Sequence, residues 1–334
     1  MSDAGSLLTT TLAGVVLRNP IILAAGTCGT LDEMAAVLDL SRVGAIVTKS
    51  VTPLPREGND TWRILECRGG MLNAIGLANG GLDHFMEHLA PRVAGVPTKV
   101  IGSVAGFSVE DYVMVAAHLD EVESLAAIEL NVSCPNVRGG VEFGLDPGAL
   151  RELIPAVRPV VKRRPLFVKL SPIAAGHPSM VEVARAAIDP AGRGPSSELR
   201  ATGRPGADAL VIANTVPAMA IDVRTRRPRL ANVTGGLSGP AVHPIAVRLV
   251  HNVYQGVAKE AGVPIVGVGG VMTWEDAAEF VLAGATAVQI GTALFADPRS
   301  PLAVAKGLAR WVRQQGAANI GELVGKVEIP ARPS

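Results

Sequence analysis

The sequence predicts an α/β fold, a TIM (β/α)8 barrel with long loops on its catalytic face. Three observations carry this expectation. Eight short, almost continuously apolar runs alternate with longer helical patterns, as parallel strands buried on both faces and joined by right-handed crossovers require. A polar residue or a glycine closes most of those runs: Thr27, Lys49, Ser103, Asn131, Lys169, Asn214, Gly269 and Gly291. Barrels carry their chemistry at that end of the strands. Finally, the first run is not followed by a glycine-rich turn, a helix and a distant acidic residue, which sets aside the doubly wound open sheet as the rival.

In chain order the strand runs are NPIILAAGT (19–27), GAIVTKSV (44–51), TKVIGSVAG (98–106), AIELNVS (127–133), LFVKLSP (166–172), ALVIANTV (209–216), PIVGVGG (264–270) and AVQIGTAL (287–294). Helical spacing appears in DEMAAVLDL (32–40), VEDYVMVAAHLDEV (109–122), PGALRELIPAVRPVV (147–161), SMVEVARAAI (179–188), HPIAVRLVHNVYQGVAKEA (243–261) and WEDAAEFVLAG (274–284). One barrel domain is expected over residues 1–334. Two segments, 52–81 after the second strand and 217–240 after the sixth, exceed ordinary connections and are expected to carry function. The polar, Gly/Pro/Arg-rich stretch 189–206 reads as a flexible surface insertion.

Composition excludes several classes of function. Lys plus Arg number 31 and Asp plus Glu 30, so no basic excess points to nucleic acid or to a membrane surface. The N-terminus lacks the basic start and cleavage pattern of a signal peptide, and no run of 18 apolar residues predicts a membrane span. Three dispersed cysteines, Cys28, Cys67 and Cys134, give neither a disulfide framework nor a CxxC metal pattern. A reducing cytoplasm is the expected compartment. The six histidines are scattered without HExxH, so no metal site is expected.

Four groups of residues carry chemistry. VGVGGV (266–271) and QIGTALF (289–295) end the seventh and eighth runs, where barrel loops commonly hold a phosphate through backbone N–H groups. GGLSGP (235–240) adds a third glycine turn; each alone could be no more than a tight turn. Lys49 and Lys169 end apolar strands, where a buried ammonium needs an anion or an electron-rich group. A rim lysine reaching solvent, or a Schiff-base lysine, are the alternatives. Asn73, Asn131, Asn136 and Asn214 fall at strand ends or in long loops. Converging carboxamides suit a ring with paired N–H and C=O groups, such as a pyrimidine, although a single Asn is more often a turn residue. Cys134 sits in a polar loop beside Ser133, Pro135 and Asn136, unlike a core thiol. With no histidine recognisably paired to it, its placement points to proton transfer rather than nucleophilic attack.

NVSCPNV, MLNAIGL, VKLSP, IANT, LANVTGGLSGPAVHP, VGVGGV and QIGTALFADP, in this order and spacing, resemble the class 1 dihydroorotate dehydrogenases across essentially the whole chain. REGN, NAIGL and ANVTGGLSGPA look most like the NAD-linked B type. The resemblance implies an FMN-bearing barrel that oxidises dihydroorotate to orotate in pyrimidine synthesis. Cys134 would take the proton from C5 of dihydroorotate while hydride leaves C6 for the flavin. Lys169 would face the flavin N1 and C2 carbonyl, and Lys49 would lie between flavin and substrate. Asn73, Asn131, Asn136, Asn214 and Thr215, with the backbone of Ala74, Ile75, Gly76 and Leu77, would hold the substrate. Thr27, Lys49, Ser50, Ser103, Asn131, Ile212, Gly239, Gly269, Gly270, Gly291 and Thr292 would hold FMN together with Lys169.

B-type resemblance also implies a homodimer working with a second subunit that carries FAD and an iron–sulfur cluster and passes electrons to NAD. The insertion at 189–206 and the SPIAAGHPS stretch depart from the family pattern. The alternatives are a fumarate-dependent A-type enzyme, another flavin barrel acting on a pyrimidine, a barrel aldolase or phosphate-binding isomerase, and a non-catalytic interaction subunit.

Overall fold

The computed structural model describes residues 7–133, 142–192 and 205–330. Eight parallel strands close into a barrel in sequence order: β1 (Ile21–Leu23), β2 (Ala45–Val47), β3 (Lys99–Val104), β4 (Leu125–Asn131), β5 (Leu166–Leu170), β6 (Ala209–Ile212), β7 (Ile265–Val268) and β8 (Ala285–Ile290). The closing pair is β8 with β1, in which Gln289 stands opposite Ile22. Helices α1 (Val109–Glu121), α2 (Pro147–Val157), α3 (Met180–Ile188), α4 (His243–Val253), α5 (Trp274–Ala283) and α6 (Ser300–Gln314) flank the barrel. Their starts are specified locally. Ser108 caps α1, Asp146 caps α2, and α3 and α5 open with reciprocal capping boxes, Ser179 with Glu182 and Thr273 with Asp276.

Side chains alternate across a strand, so every second residue points into the barrel and inward residues stack in layers. The lower layer is apolar: Ile22, Val47, Ile101, Ala127, Phe167, Val211, Val266 and Ala287 pack as one cluster. Leu12 and Leu17 join it from an N-terminal hairpin, Thr10–Leu12 paired with Val15–Leu17, and so plug the closed end. Ala13 and Gly14 form its turn with φ 49 and 84, the left-handed pair a two-residue hairpin loop needs. Two residues further along the strands the layer turns polar, with Lys49, Ser103, Glu129, Lys169 and Gln289. This change marks the floor of the open end.

The two long loops meet above that end. Ile64–Cys67, Gly70–Asn73, Gly235–Ser238 and Val216–Ala218 form one four-stranded antiparallel sheet, with Gly236 opposite Asn73. A lone bridge between Arg56 and Asn79 ties off the first loop.

One expected helix does not form. Residues 32–40 fold as two short 3-10 turns, Glu33–Ala36 and Leu40–Arg42. The Glu33 carboxylate bonds back to the amides of Thr30 and Leu31, both at 2.9 Å, and Asp39 accepts from Ser41 N–H and restarts the chain. Both side chains compete with a continuous helix. Among the described residues, the longer helical segments outside the expected patterns are α6 and Gly81–Val93, which contains a π turn over Phe85–Leu89. Most of the 189–206 stretch lies outside the described residues. Among the described residues, no helix is long and apolar enough to cross a membrane.

Candidate active site

A cavity of about 530 Å³ lies between the polar floor and the four-stranded sheet, within the size range of ligand and cofactor sites. Of the residues singled out in the sequence, its wall includes Thr27, Lys49, Ser50, Asn73, Ile75, Gly76, Leu77, Asn131, Lys169, Asn214, Thr215, Gly239, Gly269, Gly270, Gly291 and Thr292. Three others do not reach it. Ser103 is fully buried behind Ser50, hydroxyl to hydroxyl at 2.9 Å. Ile212 is buried in β6. Ala74 has its backbone engaged elsewhere: its N–H donates to the Arg63 carbonyl and its C=O accepts from Asn59. Cys134 and Asn136 lie outside the described residues.

The carboxamides are held by their neighbours. Asn131 Oδ1 accepts from the Ser133 hydroxyl at 2.7 Å and from Asn214 Nδ2 at 3.1 Å, while Asn131 Nδ2 points at Ser50 Oγ, 3.4 Å away. Asn214 Oδ1 accepts from Thr215 N–H at 2.8 Å. From the sheet, Asn73 Nδ2 donates to the Gly236 carbonyl at 3.2 Å. The Tyr112 hydroxyl, from α1, anchors the backbone carbonyl of Asn131 at 2.7 Å. Each amide is therefore fixed in position and in the sense of its two ends, the preorganisation a recognition site needs.

Lys49 is partly buried and Lys169 is 6 % exposed. Burial lowers the pKa of Lys49, and the Arg63 cation lowers it further. Lys169 Nζ stands 3.4 Å from Gln289 Oε1, and Gln289 Nε2 donates to Glu129 Oε2 at 2.6 Å. Glu129 is fully buried and borders the cavity, and its Oε1 has no hydrogen-bond partner. Burial pushes the Glu129 carboxyl up, while Lys169 and the Gln289 hydrogen bond pull it down. The sequence does not single out Glu129, and Gln289, Ser133, Arg56 and Asn59 stand there only within QIGTALF, the Cys134 loop and REGN, without a role of their own. The signal was present: a Glu two residues before Asn131 and a Gln two after Ala287, each in an apolar run and each facing inward by strand period.

At the far end, glycine turns shape the wall. Gly239, Gly269 and Gly270 have φ of 92, 139 and 70. A Cβ on Gly270 would lie 2.7 Å from the Gly239 carbonyl. Behind them, the Asp276 carboxylate accepts from the N–H groups of Met272 and Thr273, both at 2.8 Å, and His243 Nδ1 meets the Gly269 carbonyl at 2.9 Å. The loop after β7 is thus braced by α4 and α5.

Residues 7–312 match the family model described as dihydroorotate dehydrogenase. The chain belongs to the dihydroorotate dehydrogenase family. Among its relatives, the catalytic subunit of dihydroorotate dehydrogenase B (NAD(+)) from Geotalea uraniireducens is 46 % identical over 319 residues, 95 % of this chain and 97 % of that one. The protein of the same name from Geobacter sulfurreducens is 45 % identical over 323 residues, covering 96 % and 98 %. That from Pelobacter propionicus is 44 % identical over 322 residues, also covering 96 % and 98 %. The family match over residues 7–312 runs the length of the barrel and spans every residue lining the cavity of this dihydroorotate dehydrogenase family member.

Proposed function

We propose that this chain is the FMN-bearing catalytic subunit of an NAD-linked, B-type dihydroorotate dehydrogenase, oxidising dihydroorotate to orotate in pyrimidine synthesis. The observation that carries the reading is the meeting, in one cavity, of two lysines with carboxamides fixed by their neighbours. A dihydropyrimidine ring presents alternating N–H and C=O groups, which Asn73, Asn131 and Asn214 can match with donors and acceptors. Asn136 is expected to join them from the loop after β4. The ring carries a carboxylate, and Lys49 supplies the matching charge.

The residues present fit FMN. Glycines with positive φ lay bare backbone on the cavity wall, as a phosphate cradle requires, and a Cβ on Gly239, Gly269 or Gly270 would collide with the protein packed against them. The orphaned Glu129 oxygen and the Lys169 ammonium form a polar floor suited to an electron-rich ring. Thr27, Ser50, Asn131 and Lys169, with Gly239, Gly269, Gly270, Gly291 and Thr292, would hold the cofactor, with Ser103 acting through Ser50. When bound, FMN supplies the two-electron acceptor for the hydride lost from C6. Cys134 takes the proton from C5. Lys169 holds a fixed positive charge at the floor, where it favours negative charge on the ligand. The overlying sheet covers the site and restricts water.

Onward electron transfer needs a partner. An iron–sulfur cluster usually takes four thiolates, and this chain has three dispersed cysteines. We therefore assign the FAD and the cluster to a second subunit, assembled on a homodimer of this barrel in the cytoplasm, which delivers electrons to NAD. The test is NAD reduction by dihydroorotate with and without that subunit. Reduction only in the complex supports the assignment; robust reduction by the barrel alone, or efficient fumarate turnover indifferent to the partner, overturns it.

A further inference from the structure

The Glu129–Gln289–Lys169 chain has a property that ligand positioning alone does not need. A buried ammonium is ordinarily neutralised by direct contact with a carboxylate. Here an amide stands between the two. Gln289 turns its NH2 to Glu129 Oε2 at 2.6 Å and its carbonyl to Lys169 Nζ at 3.4 Å. The other carboxylate oxygen, Oε1, is buried at the cavity floor without a partner. Adding a proton at Oε1 leaves both contacts of the chain intact, because Oε2 still accepts from Gln289. The carboxyl can change charge without moving any neighbour.

Its surroundings make that change responsive. In register beside Glu129 stand Ser103 on β3, whose hydroxyl is occupied by Ser50, and Phe167 on β5; neither is charged. Gln289, from β8, is neutral. The charges lining the same cavity are Lys169, Lys49 and Arg56, and of these Lys169 is the one that bears on the Glu129 carboxyl. Lys169 holds Glu129 towards its ionised form against the pull of burial. A second anion above Lys169 would compete for the same ammonium. At an effective dielectric of about 20, one unit charge several ångströms away changes a proton affinity by roughly ten- to a hundredfold.

We propose that Glu129 is a proton-loading counter-ion of Lys169, taking up one proton when negative charge arrives above the ammonium and releasing it when that charge leaves. This rests on the reading that FMN lies over Lys169. The proton comes from solvent and returns to it, and the hydride and proton lost by dihydroorotate are not altered. Gln289 is a positioning residue, acting by keeping carboxylate and ammonium apart yet coupled.

The test is the flavin midpoint potential of the FMN-loaded chain, measured across pH for the wild type, Glu129→Gln and Gln289→Met. The wild type should show a pH window in which the potential falls more steeply, by one extra proton per two electrons. Glu129→Gln should lose that window and lie at higher potential in alkali, because a permanent negative charge is gone. Gln289→Met should displace the window. Superimposable or parallel curves for the wild type and Glu129→Gln would overturn the proposal. If Glu129→Gln fails to fold or to load flavin, the reduced-minus-oxidised infrared spectrum of 13C-glutamate-labelled wild type decides. A protonated-carboxyl band must appear on reduction and carry the isotope shift; its absence overturns the proposal. A chain that binds no flavin at all would instead sink the proposed function.

Discussion

At the scale of single residues, proton chemistry gives the clearest predictions. A free thiol has a pKa of about 8.5, so only a few per cent of such a thiol is ionised at neutral pH. With the thiolate as base, reduction of the flavin by dihydroorotate should accelerate as pH rises through the thiol pKa. Cys134→Ser should be slow at neutral pH, recover partly in alkali and still bind orotate. Stopped-flow pH profiles check this, and an unchanged rate and profile would refute it. Cys28 behaves oppositely. It is buried, donates to the Val47 carbonyl at 3.2 Å, and burial pushes its thiol from 9.0 up to about 12. Its folded pKa lies above its unfolded one, so the stabilisation is complete below about 9 and is lost as pH climbs towards about 12. Cys28→Ala should flatten that alkaline decline, by roughly 1.4 kcal/mol per pH unit in urea titrations. Lys169→Ala should lower the flavin potential or leave the chain without flavin, which a reductive titration reads directly. Lys49, Lys169 and Asn131 were legible in the sequence because a polar residue closing an apolar strand has few purely structural uses. Glu129 and Gln289 were not, because a polar residue one step inside the strand looks like part of the run until the barrel's layers show where it points.

At the scale of elements, local rules and packing sometimes disagree, and magnitudes decide. Gly307 lies buried within α6, where alanine would ordinarily favour the helix by about 1 kcal/mol. A Cβ there would sit 2.2 Å from Cγ of Trp274, the first residue of α5. Overpacking costs about 1–3 kcal/mol, so after the helix preference is subtracted Gly307→Ala should destabilise by up to about 2 kcal/mol, and a raised urea midpoint would contradict the packing account. The eight strands and the helices α1 to α5 are legible in the sequence from apolar runs and helical spacing. The failure at 32–40 has the same origin: Glu33 and Asp39 fit a helical pattern, but their carboxylates bond to nearby backbone amides instead. The sheet above the cavity was read only as two long loops. Its central pairing joins residues more than 160 positions apart, such as Asn73 with Gly236, and no local periodicity announces that.

At the scale of the molecule, the barrel has a plugged end and a reactive end. Leu17 is fully buried at the plug, in the apolar layer beneath Glu129 and Lys169. Leu17→Ala should cost about 2–5 kcal/mol through the cavity it leaves, seen as a lower melting temperature. Orotate affinity of the folded fraction should change little, since Leu17 does not border the site. A variant with normal stability would contradict the role of the hairpin. At the reactive end, on the function proposed above, the lysines, the carboxamides and the glycine turns, with Cys134, would serve one reaction, the loss of a hydride and a proton from dihydroorotate. The most direct test is the absorbance spectrum of the purified chain under anaerobic conditions before and after dihydroorotate is added. The account predicts flavin bands that bleach on addition, with orotate formed in equal amount to the flavin reduced. A colourless protein, or flavin bands that dihydroorotate leaves unchanged, would contradict it.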